Sequence, residues 1–391
     1  MRGICHTDTN MKHKKRVYMD YAAATPLDPR VLKKMMPYFV TQFGNPSSLH
    51  AKGRLARKVI DSARKDMAGM FSVLPDEIIF TGSGTESAAL AIWGVIKKYP
   101  SAHLITTSIE HAAVLENVHA LQEEKYYVTM VDAEPNGVVD PNRIAAALRK
   151  DTVLISVMYV NNEIGSIQPL SDIARVVRKE RNRRKQTGER TPLYFHTDAC
   201  QAPEYMPISV PHLGVDLLTL NASKIYGPKG IGLLYKRRGV ALESFWEGGG
   251  QEQDLRSGTE NVSGIIGFAE ALRIAEQKKK KEYARMSKFQ QYFLKEIHRL
   301  VPRAVLQGPP PGALRVPNNI NIMIHGVSAE TLVLYLDERG VAVSAGSACA
   351  SNKQTAKEKG VRFTMGRHTT RADIDYTIQA LCDSIGILET V

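Results

Sequence analysis

Short apolar runs alternate with segments of helical spacing along most of this chain, and this alternation limits its possible folds more than any other pattern. The segments between the apolar runs include Glu86 to Lys98, Ala112 to Glu124, Pro141 to Lys150 and Ser171 to Lys185. Alternation of this kind is typical of an α/β fold, with a largely parallel sheet and helices on both faces. Ligands of such sheets bind beyond the carboxyl ends of the strands. The predicted strands are Ile78 to Phe80, His103 to Thr106, Tyr127 to Val131, Thr152 to Met158, Leu193 to His196, Leu217 to Leu220 and Ile231 to Tyr235.

The pattern changes after Asn261, where one helical segment continues to about Leu300 and a proline cluster follows. The rest of the chain predicts a small α+β domain. We expect residues 30–262 to form a large domain, and residues 1–29 with 263–391 to form the small one. The elements predicted there are Asn319 to Ile324, a helix from Ser328 to Glu338, Val341 to Ser344, Arg362 to Met365 and a helix from Arg371.

Composition excludes several classes of protein. No stretch approaches the roughly 20 apolar residues of a membrane span, and the polar, basic segment Met1 to Arg16 is unlike a secretory signal. The four cysteines lie far apart without a CxxC pair, which argues against a disulfide framework or a metal site. We therefore expect a cytoplasmic protein without membrane contact.

The formal charge of +12 is concentrated in three clusters: Lys12 to Arg16, Arg175 to Arg190 and Lys278 to Lys281. Such clusters are typical of solvated helix faces and loops, and the alternative is a docking surface for RNA or an acidic protein. Because no aromatic stripe accompanies the basic residues, nucleic acid is the weaker prediction.

A lysine and an aspartate follow two neighbouring predicted strands. Lys224 comes just after the apolar run Val215 to Leu220, and Asp198 follows the strand Leu193 to His196. Separately, they are explained by an exposed lysine and a helix-capping aspartate. Together they favour pyridoxal 5'-phosphate (PLP), which needs a lysine for its Schiff base and an acid facing its ring nitrogen.

The segment Thr81 to Ser87 follows the strand Ile78 to Phe80 and begins a helix. Its glycines, Gly84 among them, let the backbone approach a ligand, and a helix N-terminus offers free N–H groups to a phosphate. The hydroxyl of Thr85 adds a donor. The alternative is an ordinary capping turn.

Two further polar positions follow strands. His111 can stack on a planar ring or carry a proton, or it simply caps a helix. Asn162 lies after the strand Thr152 to Met158, where it can bind a cofactor or a substrate carboxylate, although Asn161-Asn162 is also common in turns.

The chain resembles cysteine desulfurases of the NifS/IscS type, class V aminotransferases that depend on PLP, from about Tyr18 to its C-terminus. The motifs appear in family order. They are Asp20-Tyr21-Ala22-Ala23-Ala24-Thr25-Pro26, Gly44-Asn45-Pro46-Ser47-Ser48, Thr85-Glu86-Ser87, Glu110-His111, Asn161-Asn162-Glu163-Ile164-Gly165, Asp198 with Gln201, Lys224 to Gly230, Gly248 to Glu252, Arg256 to Asn261 and Gly346-Ser347-Ala348-Cys349.

The resemblance implies a homodimer of PLP fold type I (aspartate aminotransferase-like) that converts L-cysteine to L-alanine and carries the sulfur as a cysteine persulfide. A sulfur-acceptor protein of iron–sulfur cluster assembly or tRNA thiolation is the implied partner. The implied roles are Schiff-base formation for Lys224, the ring nitrogen for Asp198, the ring hydroxyl for Gln201, ring stacking for His111, the phosphate for Thr85, Ser223 and Thr259 (the last from the other subunit), cofactor and substrate contacts for Asn162, the substrate carboxylate for Arg362 and the nucleophile for Cys349.

Three features depart from the family pattern. Ser223 stands where the family usually has histidine, and the segment Arg175 to Pro192 is longer and more basic. Twelve residues separate Cys349 from Arg362, fewer than is usual for this motif.

These departures keep other functions open. One alternative is a selenocysteine lyase or another class V aminotransferase, which Cys349 disfavours. Another is a catalytically weakened binding paralogue. Cys200 is predicted to pack rather than react, and Cys5 and Cys382 have no predicted role.

Overall fold

The computed structural model describes residues 15–346 and 360–388. In chain order the strands are β1 (Val17–Tyr18), β2 (Ile78–Thr81), β3 (His103–Thr107), β4 (Tyr127–Val131), β5 (Thr152–Ser156), β6 (Tyr194–Asp198), β7 (Leu217–Asn221), β8 (Gly232–Lys236), β9 (Ala304–Leu306), β10 (Asn319–Ile324), β11 (Val341–Ala342), β12 (Ser344–Ala345) and β13 (Val361–Thr364). The helices are α1 (Pro29–Met35), α2 (Pro37–Val40), α3 (Ala51–Phe71), α4 (Gly84–Ile96), α5 (Ala112–Glu123), α6 (Pro141–Ala146), α7 (Leu170–Thr187), α8 (Val210–Leu213), α9 (Val262–Leu300), α10 (Ala329–Glu338) and α11 (Arg371–Leu388).

The centre of the large domain is a mixed, mostly parallel sheet. Within the described residues it has seven strands in the order β2-β8-β7-β6-β5-β3-β4, and β8 is antiparallel to both of its neighbours. Every residue of β3, β5 and β6 is buried, whereas β4 at the edge is largely accessible. Strands buried on both faces appear in the sequence as continuous apolar runs. The predicted α/β fold is confirmed.

Helices cover both faces of this sheet. On one face, α4 and α5 pack against it through residues such as Leu90 and Val114. On the other, α3, α7 and the first half of α9 contribute Ile60, Val177 and Phe268 to a second cluster. The carboxyl ends of the parallel strands stay uncovered by these layers, which leaves that edge of the sheet for a binding site.

The small domain forms around an antiparallel sheet in the order β12-β13-β10-β9. Helix α9 contributes to both domains, because Phe268 lies in the core of the large domain and Phe293 in the core of the small one. Strand β1 pairs with β11, and Val17 lies in the same core as Phe293. The domain boundary at residues 262 and 263 stays a prediction.

Several predicted strands differ from those observed by one or two residues at an end, and two differ for a reason that the structure shows. The run Val341 to Ser344 forms two short strands, because β11 pairs with β1 while β12 pairs with β13. Strand β5 ends at Ser156 rather than Met158. The Met158 amide donates instead to the carboxylate Oε1 of Glu110, at 2.7 Å, which removes it from the ladder of the sheet.

The basic segment in α7 is partly a structural element. Arg184 is 3% exposed and donates hydrogen bonds to the carbonyls of Thr152 (2.9 Å) and Arg149 (3.0 Å). Arg183 pairs with Glu180 and Glu189. The interpretation as a wholly solvated face is therefore wrong for Arg184, whose guanidinium ties α7 to the loop before β5.

Within residues 15–346 and 360–388, no helix has the length and apolar content to span a bilayer.

Candidate active site

The carboxyl ends of the central strands open into a cavity of about 380 Å³. Small-molecule sites in proteins typically measure roughly 300–1,000 Å³. Eight of the predicted site residues line this cavity: Gly84, Thr85, His111, Asn162, Asp198, Gln201, Lys224 and Arg362.

The N-terminus of α4 forms one wall of the cavity. Ser83 caps the helix by accepting a hydrogen bond from the Glu86 amide at 3.0 Å. Gly84 and Thr85 follow as the first two helical residues, where backbone N–H groups and the helix dipole favour an anion. A Cβ added to Gly84 would lie 3.0 Å from Cys200 Sγ. Glycine is therefore needed here for close packing beside a potential anion site.

Asp198 ends β6 with its side chain buried beside the cavity. Its Oδ1 accepts a hydrogen bond from the Cys200 amide at 2.9 Å, which fixes the orientation of the carboxylate. Gln201 lies on the same turn and donates through Nε2 to the carbonyl of Ala22 at 2.9 Å. The turn after β6 thus presents one acid and one anchored amide to the same space.

Lys224 ends the short turn after β7 and is half-buried. Its Nζ donates to the carbonyl of Ala23 at 2.5 Å. Burial lowers the pKa of this lysine, and the nearby charge of Arg362 acts in the same direction, against the opposite effects of Cys200, Asp198 and Asp20. A lowered pKa increases the fraction of neutral amine, the form that attacks a carbonyl group.

His111 combines the two roles that the sequence left open. It caps α5, with Nδ1 accepting from the Ala113 amide at 3.0 Å, and its ring also lines the cavity. Because Nδ1 is an acceptor in this bond, a neutral ring carries its proton on Nε2. The cap therefore fixes both the position and the tautomer of the ring.

Asn162 belongs to a tight turn after β5. Its Nδ2 donates to Glu163 Oε1 at 2.8 Å, and its carbonyl accepts from Asn319 of the small domain at 3.2 Å. The turn closes at Gly165, where φ is +71° and an added Cβ would lie 2.8 Å from the Cβ of Asn319. The turn is consequently held by both domains.

Arg362 projects from β13 of the small domain into the cavity and is 5% exposed. Nη1 donates to Glu163 Oε1 at 3.0 Å and Nη2 to Asp20 Oδ1 at 2.9 Å. Neither carboxylate was predicted as a site residue. A signal existed, because Asp20 and Glu163 lie inside two of the motifs quoted for the resemblance.

Three predicted residues are not placed in this cavity. Ser223 does not line it, and its carbonyl accepts from the backbone and side chain of Thr25. Thr259 is exposed and lies outside the cavity of its own chain. Cys349 falls outside the described residues.

Among the other residues that line the cavity, two carry hydrogen-bond donors in their side chains and were not predicted to bind there. Asn221, two positions before Ser223, is one of them, and its place next to the lysine motif was an available signal. Cys200 is the other. Burial raises the pKa of the Cys200 thiol well above its usual range, which agrees with the prediction that it packs rather than reacts.

A lysine and an aspartate at neighbouring strand ends, opposite a helix N-terminus in a sheet of this order, define the class of PLP enzymes of fold type I. The family Aminotransferase class-V matches residues 17–377. The chain is 40% identical over 393 residues to cysteine desulfurase IscS of Dictyoglomus turgidum, covering 97% of this chain and 96% of the relative. It is 38% identical over 381 residues to the human cysteine desulfurase, covering 93% and 80%.

Solved structures of related proteins are also similar to this chain. A NifS-like protein superimposes with a TM-score of 0.88 at 32% identity, covering 95% of this chain and 100% of that protein. SspA, solved in complex with cysteine, gives a TM-score of 0.73 at 29% identity over 89% of this chain and 98% of SspA. The chain belongs to the class V aminotransferases and, within them, to the cysteine desulfurase family. The predicted family, fold type and enzyme class, a PLP-dependent cysteine desulfurase, are confirmed.

Proposed function

We propose that this enzyme binds PLP in the cavity at the strand ends, converts L-cysteine to L-alanine and holds the released sulfur as a persulfide on Cys349. The observation that carries the proposal is the placement of Lys224 and Asp198 in one cavity, on neighbouring strand ends, facing the N-terminus of α4. This combination supplies an amine, an acid and a phosphate site to a single small molecule.

The residues present fit PLP. The N-terminus of α4 with Thr85, and Asn221 beside it, would hold the phosphate, and Ser223 stays a predicted contributor. Asp198 would meet the ring nitrogen, Gln201 the ring hydroxyl and His111 the ring face, while Lys224 provides the covalent link. When bound, PLP supplies an electron-withdrawing ring that weakens the bonds of the substrate next to its amino group.

The chain's own residues carry out the remaining steps. Arg362 binds the substrate carboxylate, as a guanidinium is suited to do. The Cys349 thiolate forms an S–S bond with the substrate sulfur while the C–S bond breaks and its electron pair stays with the carbon fragment. Addition of protons to that fragment gives L-alanine, and the Lys224 amine, which lines the same cavity, can carry them.

The wider biological role is part of the same proposal. The enzyme acts in the cytoplasm as a homodimer, in which Thr259 of the partner subunit completes the phosphate site. Its persulfide passes sulfur to an acceptor protein of iron–sulfur cluster assembly or tRNA thiolation. The exposed position of Thr259 supports this arrangement, because a residue at the surface of its own chain can reach a neighbouring one.

Mass spectrometry after exposure to L-cysteine tests the proposal. We expect one additional sulfur atom on the peptide that contains Cys349, together with L-alanine in solution. Cys349→Ala is expected to abolish both signals, whereas the matched variant Cys382→Ala retains them. Borohydride treatment should fix PLP to Lys224. Full alanine production by Cys349→Ala would rule out persulfide chemistry at this position.

A further inference from the structure

The guanidinium of Arg362 is already held by two acidic side chains from two different parts of the chain. Asp20 reaches Nη2 at 2.9 Å from the segment after β1, and Glu163 reaches Nη1 at 3.0 Å from the turn after β5. The side chains of all three are largely shielded from solvent, at 6% exposure for Arg362, 16% for Asp20 and 10% for Glu163. We call this group the Asp20–Arg362–Glu163 cluster.

The charges of this cluster oppose the binding of an anion. Two carboxylates and one guanidinium carry a net charge of −1 when all are ionised. A substrate carboxylate that binds Arg362 would make three carboxylates around one cation, in a setting where water screens charges poorly. Release of one internal carboxylate from the guanidinium relieves this opposition when the substrate carboxylate arrives.

The two carboxylates are not equally replaceable. Glu163 Oε1 also accepts from Asn162 Nδ2 at 2.8 Å, and its main-chain carbonyl accepts from the side chains of Asn319 and Asn321. In the described part of the chain, the Asp20 carboxylate accepts its hydrogen bond from Arg362 alone. Asp20 is also the more accessible of the two.

The position of Asp20 suits an exchange with substrate. It precedes Ala22 and Ala23, whose carbonyls accept from Gln201 and Lys224 on the cavity wall. Arg362 and Lys224 line the same cavity. In an α-amino acid, the amino group and the carboxylate are attached to the same carbon atom. A substrate whose amino group lies beside Lys224 therefore has its carboxylate in the same cavity as Arg362.

We propose that Asp20 is a specificity-determining positioning residue, which occupies Nη2 of Arg362 in the absence of substrate and yields it to the substrate carboxylate, while Glu163 keeps Nη1 in place. The inference rests on the proposed function. The internal carboxylate keeps the guanidinium oriented before substrate binds, and it weakens the binding of every ligand that carries a carboxylate. Ligands without one do not compete for Nη2.

The experiment compares two ligands that differ in this group, using the PLP-loaded enzyme. L-alanine, the product, and ethylamine, which has the same skeleton without the carboxylate, are titrated while the absorbance of bound PLP is followed. Removal of the charge of Asp20, which competes for Arg362, should change the affinity for L-alanine only. For Asp20→Asn we expect about tenfold tighter binding of L-alanine and a change of less than about twofold for ethylamine.

Asp28→Asn is the matched control, because it removes a carboxylate that pairs with Arg30 and Arg367 outside the cavity. It should leave both affinities unchanged. In an Arg362→Gln background, Asp20→Asn should no longer tighten L-alanine binding, since the shared partner is gone. Asp20→Ser provides a second test of the same charge removal if the asparagine variant does not fold.

The outcomes separate this inference from the proposed function. The proposed function is wrong if the wild-type enzyme takes up no PLP, or if the absorbance of bound PLP does not change when L-alanine is added. If the wild type responds to L-alanine but the Asp20 variants bind it equally or more weakly, only the exchange at Arg362 is wrong.

Discussion

At the scale of single residues, Glu110 is a buried acid that forms no ion pair with any residue of 15–346 or 360–388. Its Oε1 accepts hydrogen bonds from the Met158 amide at 2.7 Å and the Thr107 hydroxyl at 2.8 Å, whereas Oε2 is buried without a partner among the described residues. Burial raises the pKa of Glu110 to about 8, and the charge of Asp198 acts in the same direction. As a neutral acid at physiological pH, Glu110 therefore joins the segment that carries His111 to the segment that follows β5.

This neutral acid gives the stability of the protein a defined pH dependence. The folded state keeps the proton of Glu110 up to a pH of about 8, whereas the unfolded chain loses it near the ordinary value of 4.5. Between these values the folded state binds more protons, so the contribution of Glu110 to stability is complete at acid pH and falls as pH rises, by up to ~1.4 kcal/mol per pH unit.

The check is urea unfolding of the PLP-free protein and its Glu110→Gln variant across that pH range. The free energy of unfolding of the wild type should fall with pH relative to the variant, since glutamine cannot ionise. Glu123→Gln, on the exposed side of α5, makes the same charge change and serves as the control. A flat difference between wild type and Glu110→Gln would mean that Glu110 is ionised in the folded protein.

At the scale of elements, the start of α4 depends on the absence of a side chain at Gly84. An added Cβ would lie 3.0 Å from Cys200 Sγ and 3.3 Å from the Asn221 Cβ, both on the wall of the cavity. Overpacking of this kind typically costs about 1–3 kcal/mol. Gly84→Ala should therefore weaken PLP binding at least about tenfold, because the walls must shift at the proposed phosphate site.

Fluorescence titration of the PLP-free protein with PLP measures this effect. Gly69→Ala in α3 is the matched control, because a Cβ there meets nothing within 4 Å. That change should leave PLP affinity intact and raise helix stability by about 0.5–1 kcal/mol. If Gly84→Ala binds PLP as tightly as the wild type, the phosphate binds elsewhere.

The elements around the site were largely predictable, whereas the contacts between them were not. Apolar runs and turn residues were sufficient to predict β3, β4 and α5 within a residue, because each depends on local periodicity. The pairing of Asp20 with Arg362 joins side chains 342 positions apart, and no local pattern encodes such a contact. The splitting of Val341 to Ser344 into β11 and β12 likewise depends on two partner strands from distant segments.

At the scale of the whole molecule, α9 is the element that joins the two hydrophobic cores. Its 39 residues form one uninterrupted helix that places Phe268 in the core of the large domain and Phe293 in the core of the small one. Most residues that line the cavity belong to the large domain, but Arg362 enters it from the small one. The relative position of the domains therefore matters for the proposed substrate site, and α9 is a main support of that position.

A proline in the middle of α9 tests this coupling. Lys280 is exposed between the two cores, so its side chain contributes little to packing. Lys280→Pro removes one helical hydrogen bond and collides with the preceding turn, at a cost of ~3 kcal/mol or more. We expect calorimetry to show one unfolding transition for the wild type and for Lys280→Ala, and two transitions for Lys280→Pro.

Added PLP should raise the unfolding temperature of only one of these two transitions, since Lys224, Asp198 and α4 all lie in the large domain. A single transition in the proline variant, shifted as a whole by PLP, would mean that contacts other than α9, such as those of Asn319 with the turn after β5, are sufficient to join the domains.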